Sequence, residues 1–273
     1  MTVCIAAICC NNGHENPKII VSSDRMITTV LGSPVEYEGT STKISELTDK
    51  CVMLSAGSTV LIEDLVYKTK QTLNAGSNLT VRKIAENCAN AYMELIQDNI
   101  KRLILSTYNM TFEEFKDQQK YNQGFLSEIN QNILTIRQEI QNNLISLIAG
   151  INEDIANIFG INNGNLYSFT SLGYQATGSG QASAESVFVH RGYDPRWSLE
   201  EAMITVIEAK KQAEEAQGVG KNTDIVIVSK EGITYLNEET IKKLEGIHKE
   251  LMNKISETRN KIIKDKLDGL SIL

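Results

Sequence analysis

Val3 to Cys10 reads Val-Cys-Ile-Ala-Ala-Ile-Cys-Cys, and Lys18 to Asp24 reads Lys-Ile-Ile-Val-Ser-Ser-Asp. The first run is short, branched and apolar without alternation, which marks a strand buried on both faces rather than on one. The stretch from Asn11-Asn12-Gly13 through Pro17 is rich in turn formers. The chain therefore opens with a β-hairpin whose second strand ends at Asp24. Strands that are apolar on both faces need covering layers on each side.

Working outward, Lys43–Leu47 and Cys51–Ser55 form another expected hairpin around Thr48-Asp49-Lys50. Leu144–Ile151, Ile155–Ile161 and Leu166–Thr170 read as three more strands, with Asn162-Asn163-Gly164 as a hairpin turn. Thr223–Ser229 and Ile233–Leu236 close the strand set around Lys230-Glu231-Gly232.

Helices separate these groups. Ser58 can cap a helix that carries Leu61, Leu65 and Val66. A second starts near Thr80, with Val81, Ile84, Cys88, Ala91, Leu95 and Ile96 on one face. Residues 100–143 read as helix throughout, with Thr111 and Glu114 as a capping box. Leu126, Ile129, Ile133, Ile136 and Ile140 then step by three and four, so residues 101–142 are expected as a helical hairpin. Gly178-Ser179-Gly180 precedes a short helix, and Ser198 with Glu201 opens another that runs to about Ala216. Ile241, Leu244, Leu251, Ile255 and Ile262 keep heptad-like spacing in a charged C-terminal helix, expected to pack mainly on the chain's own helices.

Strands and helices come in groups and do not alternate one by one. That order argues for α+β and against a parallel doubly wound sheet. Two antiparallel sheets with helix layers outside them would bury the strands on both faces. At 273 residues and 41% apolar content the chain can build one large core. We read residues 1–240 as that domain, with the helical hairpin inserted at 101–142, and 241–273 as the C-terminal helix.

Charge and composition exclude several functions. The formal net charge is −7, with no Lys/Arg-rich run, so nucleic acid and anionic membrane surfaces are not expected partners. No signal peptide and no membrane-length apolar segment are expected. The three histidines are scattered and the five cysteines contain no C-x-x-C pair, so neither a metal site nor a disulfide framework is expected. No cofactor is called for, since no glycine-rich dinucleotide loop sits in a strand–helix frame. Free cysteines fit a reducing cytoplasm.

Six motifs in order carry a family resemblance: Met-Thr-Val-Cys-Ile-Ala at 1–6, Ile-Ile-Val-Ser-Ser-Asp-Arg at 19–25, Thr-Lys-Ile-Ser-Glu-Leu at 42–47, Leu-Ser-Ala-Gly-Ser at 54–58, Ala-Thr-Gly-Ser-Gly at 176–180 and Thr-Asp-Ile-Val-Ile-Val at 223–228. Over about residues 2–100 and 143–240 the chain resembles proteasome β-subunits. Its start most resembles the bacterial proteasome-like Anbu proteins. The resemblance implies a four-layer αββα N-terminal-nucleophile hydrolase fold and a threonine peptidase activity on peptide or amide bonds. It also implies a homo-oligomer, as a ring or helical stack, that takes peptide or unfolded protein substrates. An ATPase partner is compatible with it, although no residue here marks one.

Carried over by motif, Thr2 falls on the family's nucleophile once Met1 is removed, and Asp24 on its first acidic residue. Lys43 falls on its active-site lysine, Gly57 on its oxyanion-hole glycine, and Ser179 on the serine of its Gly-Ser-Gly turn. Ala216-Gln217-Gly218-Val219-Gly220 stands where the family has Asp-Ser-x-Ser-Gly. An N-terminal threonine carries its own base, because its α-amine has a near-neutral pKa and can take the hydroxyl proton through a water. Lys43 would favour the ionised hydroxyl, Asp24 would orient Lys43, and the Gly57 amide would hold the oxyanion. Two alternatives stay open: a silent subunit that only assembles, which retention of Met1 would favour, and an acyl-transferring relative.

Overall fold

A computed structural model describes residues 2–10, 16–29, 35–39, 42–73, 79–117 and 121–267. The expected turn at Asn11–Pro17 lies largely outside them. Two antiparallel five-stranded sheets and seven α-helices make up the described chain, an α+β molecule.

The first sheet has β1 (Cys4–Cys9), β2 (Lys18–Asp24), β10 (Tyr174–Thr177), β11 (Thr223–Ser229) and β12 (Gly232–Tyr235), in the order β10-β1-β2-β11-β12. The second has β5 (Ile44–Thr48), β6 (Cys51–Gly57), β7 (Leu144–Asn152), β8 (Ile155–Asn162) and β9 (Asn165–Ser168), in the order β5-β6-β7-β8-β9. A separate ribbon pairs β3 (Met26–Thr29) with β4 (Val35–Glu38).

The unalternating apolar run of β1 is explained by its surroundings. Cys4, Ala6 and Ile8 join Ile19, Val21, Val226 and Val228 in a cluster with Val52, Leu54, Leu147 and Ile158 of the second sheet. Val3, Ile5, Ala7 and Cys9 face the other way, among Ala184, Phe188, Met203, Val206 and Ile207. Those residues belong to helices α5 (Gln181–Arg191) and α6 (Leu199–Ala213). The period of two is real, but both faces are dry, so it leaves no polar trace in the sequence. Met53, Ile148, Phe159 and Ile161 of the second sheet lie in a third cluster. Its helical members come from α1 (Thr59–Leu73), α2 (Val81–Leu103) and α4 (Gln123–Asn142).

Three expectations need correction. The helix expected over 100–143 is broken: α2 ends at Leu103, a 3-10 turn spans Leu105–Tyr108, and α3 is only Phe112–Lys116. Asn109, in the left-handed region at φ 50, ends the turn, and Thr111 starts α3 with both arms of the expected capping box. β10 and the β3–β4 ribbon were not expected. They are four residues long and of mixed polarity, and pairing rather than patterning makes them strands. Finally, α7 (Glu238–Leu267) packs on α6 through its first half, as expected, but its second half stands clear of the fold. Ile241 is buried and Leu244 half-buried, whereas Leu251, Ile255 and Ile262 are exposed.

No helix among the described residues is long and apolar enough to cross a membrane. The burial pattern makes a graded prediction. Leu54 is fully buried between the sheets, so Leu54→Ala should lower the unfolding free energy by about 2–5 kcal/mol in urea titration. Exposed Ile255→Ala should change it by less than about 0.5 kcal/mol.

Candidate active site

Strand register brings the site together. β1 lies between β2 and β10, and Cys4 pairs with Ser23 on one side and Thr177 on the other. In antiparallel pairs, residues before Cys4 therefore meet residues after Ser23 and Thr177. This sets Thr2 beside Asp24 and beside the Gly178–Gly180 turn. Lys43 just precedes β5, and Gly57 ends β6 on the second sheet. The two sheets touch here, with the Cys4 thiol 3.6 Å from the Ser55 carbonyl oxygen.

The Thr2 hydroxyl donates to Asp24 Oδ1 and accepts from Lys43 Nζ. Lys43 Nζ also donates to Asp24 Oδ1 at 2.8 Å. Asp24 has no solvent exposure. A buried carboxylate is costly unless donors answer both oxygens, and here five among the described residues do. Besides Thr2 and Lys43, the Val3 amide reaches Oδ1 at 3.0 Å, while the Met26 and Gly220 amides reach Oδ2 at 3.1 and 2.9 Å.

The backbone of Thr2 is held separately. Its nitrogen donates to Ser179 Oγ at 3.1 Å, and its carbonyl accepts from Ser179 Oγ at 3.3 Å and the Gly180 amide at 3.2 Å. Gly178 lies at φ +96, and a Cβ there would run into the Thr2 carbonyl oxygen, so the turn requires glycine at this point. Gly57 is equally constrained, at φ +133, where a Cβ would overlap the Asn143 carbonyl. The Ser55 amide donates to the Lys43 carbonyl at 3.4 Å, and the Ser58 amide to the Asn143 carbonyl at 2.8 Å. Strand alternation thus aims the Gly57 amide toward the Lys43 side, one step beyond the last β5 partner. A cavity of about 400 Å³ opens there, lined by Thr2, Lys43, Ser45, Gly57, Ile62 and Val66 among others.

All five residues singled out from the sequence are therefore in or beside one site. Sequence reasoning missed the residues that hold Asp24 from behind. The segment Ala216–Gly220 contributes the Gly220 amide. Buried Lys210 of α6 donates to the Gly220 and Lys221 carbonyls at 2.7 and 3.0 Å and to Glu214 at 2.5 Å. Glu38 accepts from the Lys221 and Asn222 amides at 2.6 and 3.0 Å. One signal for Lys210 was present: it continues the buried series Met203, Val206 and Ile207 on the inner face of α6, where an ammonium is out of place.

No group of His, Cys, Asp and Glu suited to a metal ion occurs among the described residues. The chain matches no protein-family model and no curated protein sequence.

Cys4 lies under the site, fully buried. Burial pushes its thiol up to about 12, with nearby Lys43 lowering it and Asp24 raising it by smaller amounts. Burial raises the thiols of Cys9, Cys51 and Cys88 as well. Since the thiolate is the reactive form, iodoacetamide at mildly alkaline pH should label half-buried Cys10 first in the folded protein. The other four should react only after denaturation, as peptide mapping will read.

Proposed function

We propose that this chain is a threonine-type N-terminal nucleophile hydrolase with a four-layer αββα, proteasome-like fold, acting on peptide or amide bonds. The observation that carries the reading is the Thr2 hydroxyl held between Lys43 and Asp24, with the Thr2 nitrogen on Ser179, at the mouth of a cavity. Ordinary structural needs do not call for a buried hydroxyl, ammonium and carboxylate to converge on one threonine. The three apolar clusters, two with helices and one shared by the sheets, support the layer order.

In this reading Met1 is removed and Thr2 Oγ1 attacks the substrate carbonyl carbon. Its proton passes to the free α-amine, directly or through a water. The Lys43 ammonium favours the developing alkoxide, and Asp24 fixes Lys43 in place. The carbonyl oxygen becomes an oxyanion against the Gly57 amide, a contact worth about 10²–10³ in rate where such donors have been removed from other hydrolases. The protonated amine returns the proton to the leaving nitrogen as the C–N bond breaks. A water, deprotonated by the same amine, then attacks the ester carbonyl and frees Thr2. Acyl transfer to another amine would follow the same first half.

Peptides or unfolded protein segments are the proposed substrates. Self-assembly belongs to the same proposal, and the exposed apolar residues of α7 support a surface for it. Free cysteines, five in the chain, support a reducing cytoplasmic setting.

The test is covalent capture. Incubation with a threonine-directed peptide epoxyketone should add one inhibitor per chain by intact mass, mapped to Thr2 and lost in Thr2→Ala. A chain with a free Thr2 and no adduct, or an adduct that persists in Thr2→Ala, would refute the proposal.

A further inference from the structure

Among the described residues Lys210 is the one lysine in the set of largest fully buried side chains, at 1% exposure. It sits on α6, away from the cavity, and makes no hydrogen bond to Thr2 or Lys43 among the described residues. On the same helix Val206, Ala209 and Ala213, its neighbours in the helical repeat, are buried in an apolar cluster. Its ammonium ends on two backbone carbonyls, those of Gly220 and Lys221, and on Glu214. Three acceptors match its three donors.

Those carbonyls belong to the segment whose Gly220 amide reaches Asp24 Oδ2 at 2.9 Å. The same segment is held on its far side by Glu38, through the Lys221 and Asn222 amides. It has little room to shift inward, because a Cβ on Gly220 would meet the Met26 backbone nitrogen at 3.0 Å and Glu38 Oε1 at 3.1 Å. The backbone of Gly220 and Lys221 is therefore gripped by a cation through its carbonyls and by two anions, Asp24 and Glu38, through its amides. A buried ammonium needs a strong reason to be there. Simple packing of α6 would be served as well by methionine or leucine at this position.

We propose that Lys210 is a positioning residue for the Thr2 centre, acting through the Gly220 amide to fix the Asp24 carboxylate. It acts by pinning a backbone rather than by reaching the site. The grip extends outward. Glu214 also accepts from Lys211 at 3.0 Å, and Lys211 pairs with Glu245 of α7 at 2.7 Å. The first turns of α7 thus belong to the same ionic chain. Burial lowers the Lys210 pKa, opposed by Glu214, so the ammonium is held by its partners against desolvation.

The kinetic part rests on the hydrolase reading, and the experiment separates the two. In wild-type protein, and in Lys210→Met and Lys210→Gln, the rate constant for epoxyketone capture at Thr2 is followed by intact mass. The amplitude counts folded, competent molecules, while the rate constant reports how well each is arranged. Lys210→Met should slow the rate constant by up to about 100-fold at near-normal amplitude, the scale expected of a misplaced catalytic group. Lys210→Gln, which keeps a shorter, uncharged donor at this position, should fall between. A lowered amplitude with an unchanged rate constant would mean a structural role only and would overturn the proposal. Hydrogen exchange in the unaltered protein gives a check that needs neither folding variants nor capture. The Gly220 amide should be among the slowly exchanging ones, and fast exchange there overturns the tether. Absence of any wild-type adduct with a protected Gly220 amide would instead count against the hydrolase reading alone.

Discussion

The buried carboxylate of Asp24 is the constraint on which the arrangement depends. It sits at the end of β2 with no exposure, and it accepts from five donors supplied by four separate parts of the chain. An unanswered buried carboxylate would cost several kcal/mol, so each donor segment is bound to the others through it. The start of β1, the entry to β3, the lead into β5 and the 216–222 segment all converge on two oxygen atoms. Thr2 is fixed as a by-product of satisfying Asp24.

The two sheets divide the labour. The first supplies Thr2, Asp24 and, through the turn after β10, Ser179 and the glycines around it. The second supplies Lys43 and Gly57 at adjacent strand ends. Neither sheet carries a complete centre, and the apolar cluster between them, with Leu54 and Ile8 fully buried, sets their relative position. Apolar packing there holds polar groups together at the rim. The cavity beside Thr2 continues along α1, where Ile62 and Val66 give it an apolar wall.

Much of this was legible in the sequence. The apolar runs at 3–10 and 18–24, and the turn at 162–164, predict strands that the structure has within a residue or two. Thr80 and Thr111 predict helix starts because side-chain caps are local chemistry. The five site residues came through motif order, and antiparallel register explains why they meet. What stayed hidden depends on tertiary contacts. The four-residue β10 and the β3–β4 ribbon have no periodicity long enough to read. The exposure of Leu251, Ile255 and Ile262 runs against an apolar spacing that ordinarily means burial. The support behind Asp24 comes from backbone amides, which nearly every residue has and which no motif can advertise. Lys210 alone left a trace, as a charge on an apolar face.

The central claim is that Thr2 acts with its own free amine, and one measurement bears on that most directly: the N-terminal residue of the purified, folded protein, read by intact mass and confirmed by N-terminal peptide mapping. The geometry around Thr2 predicts a chain that begins at Thr2, with Met1 removed. A fully retained Met1 in folded protein would leave the nitrogen on Ser179 as an amide with no basicity, and would contradict it.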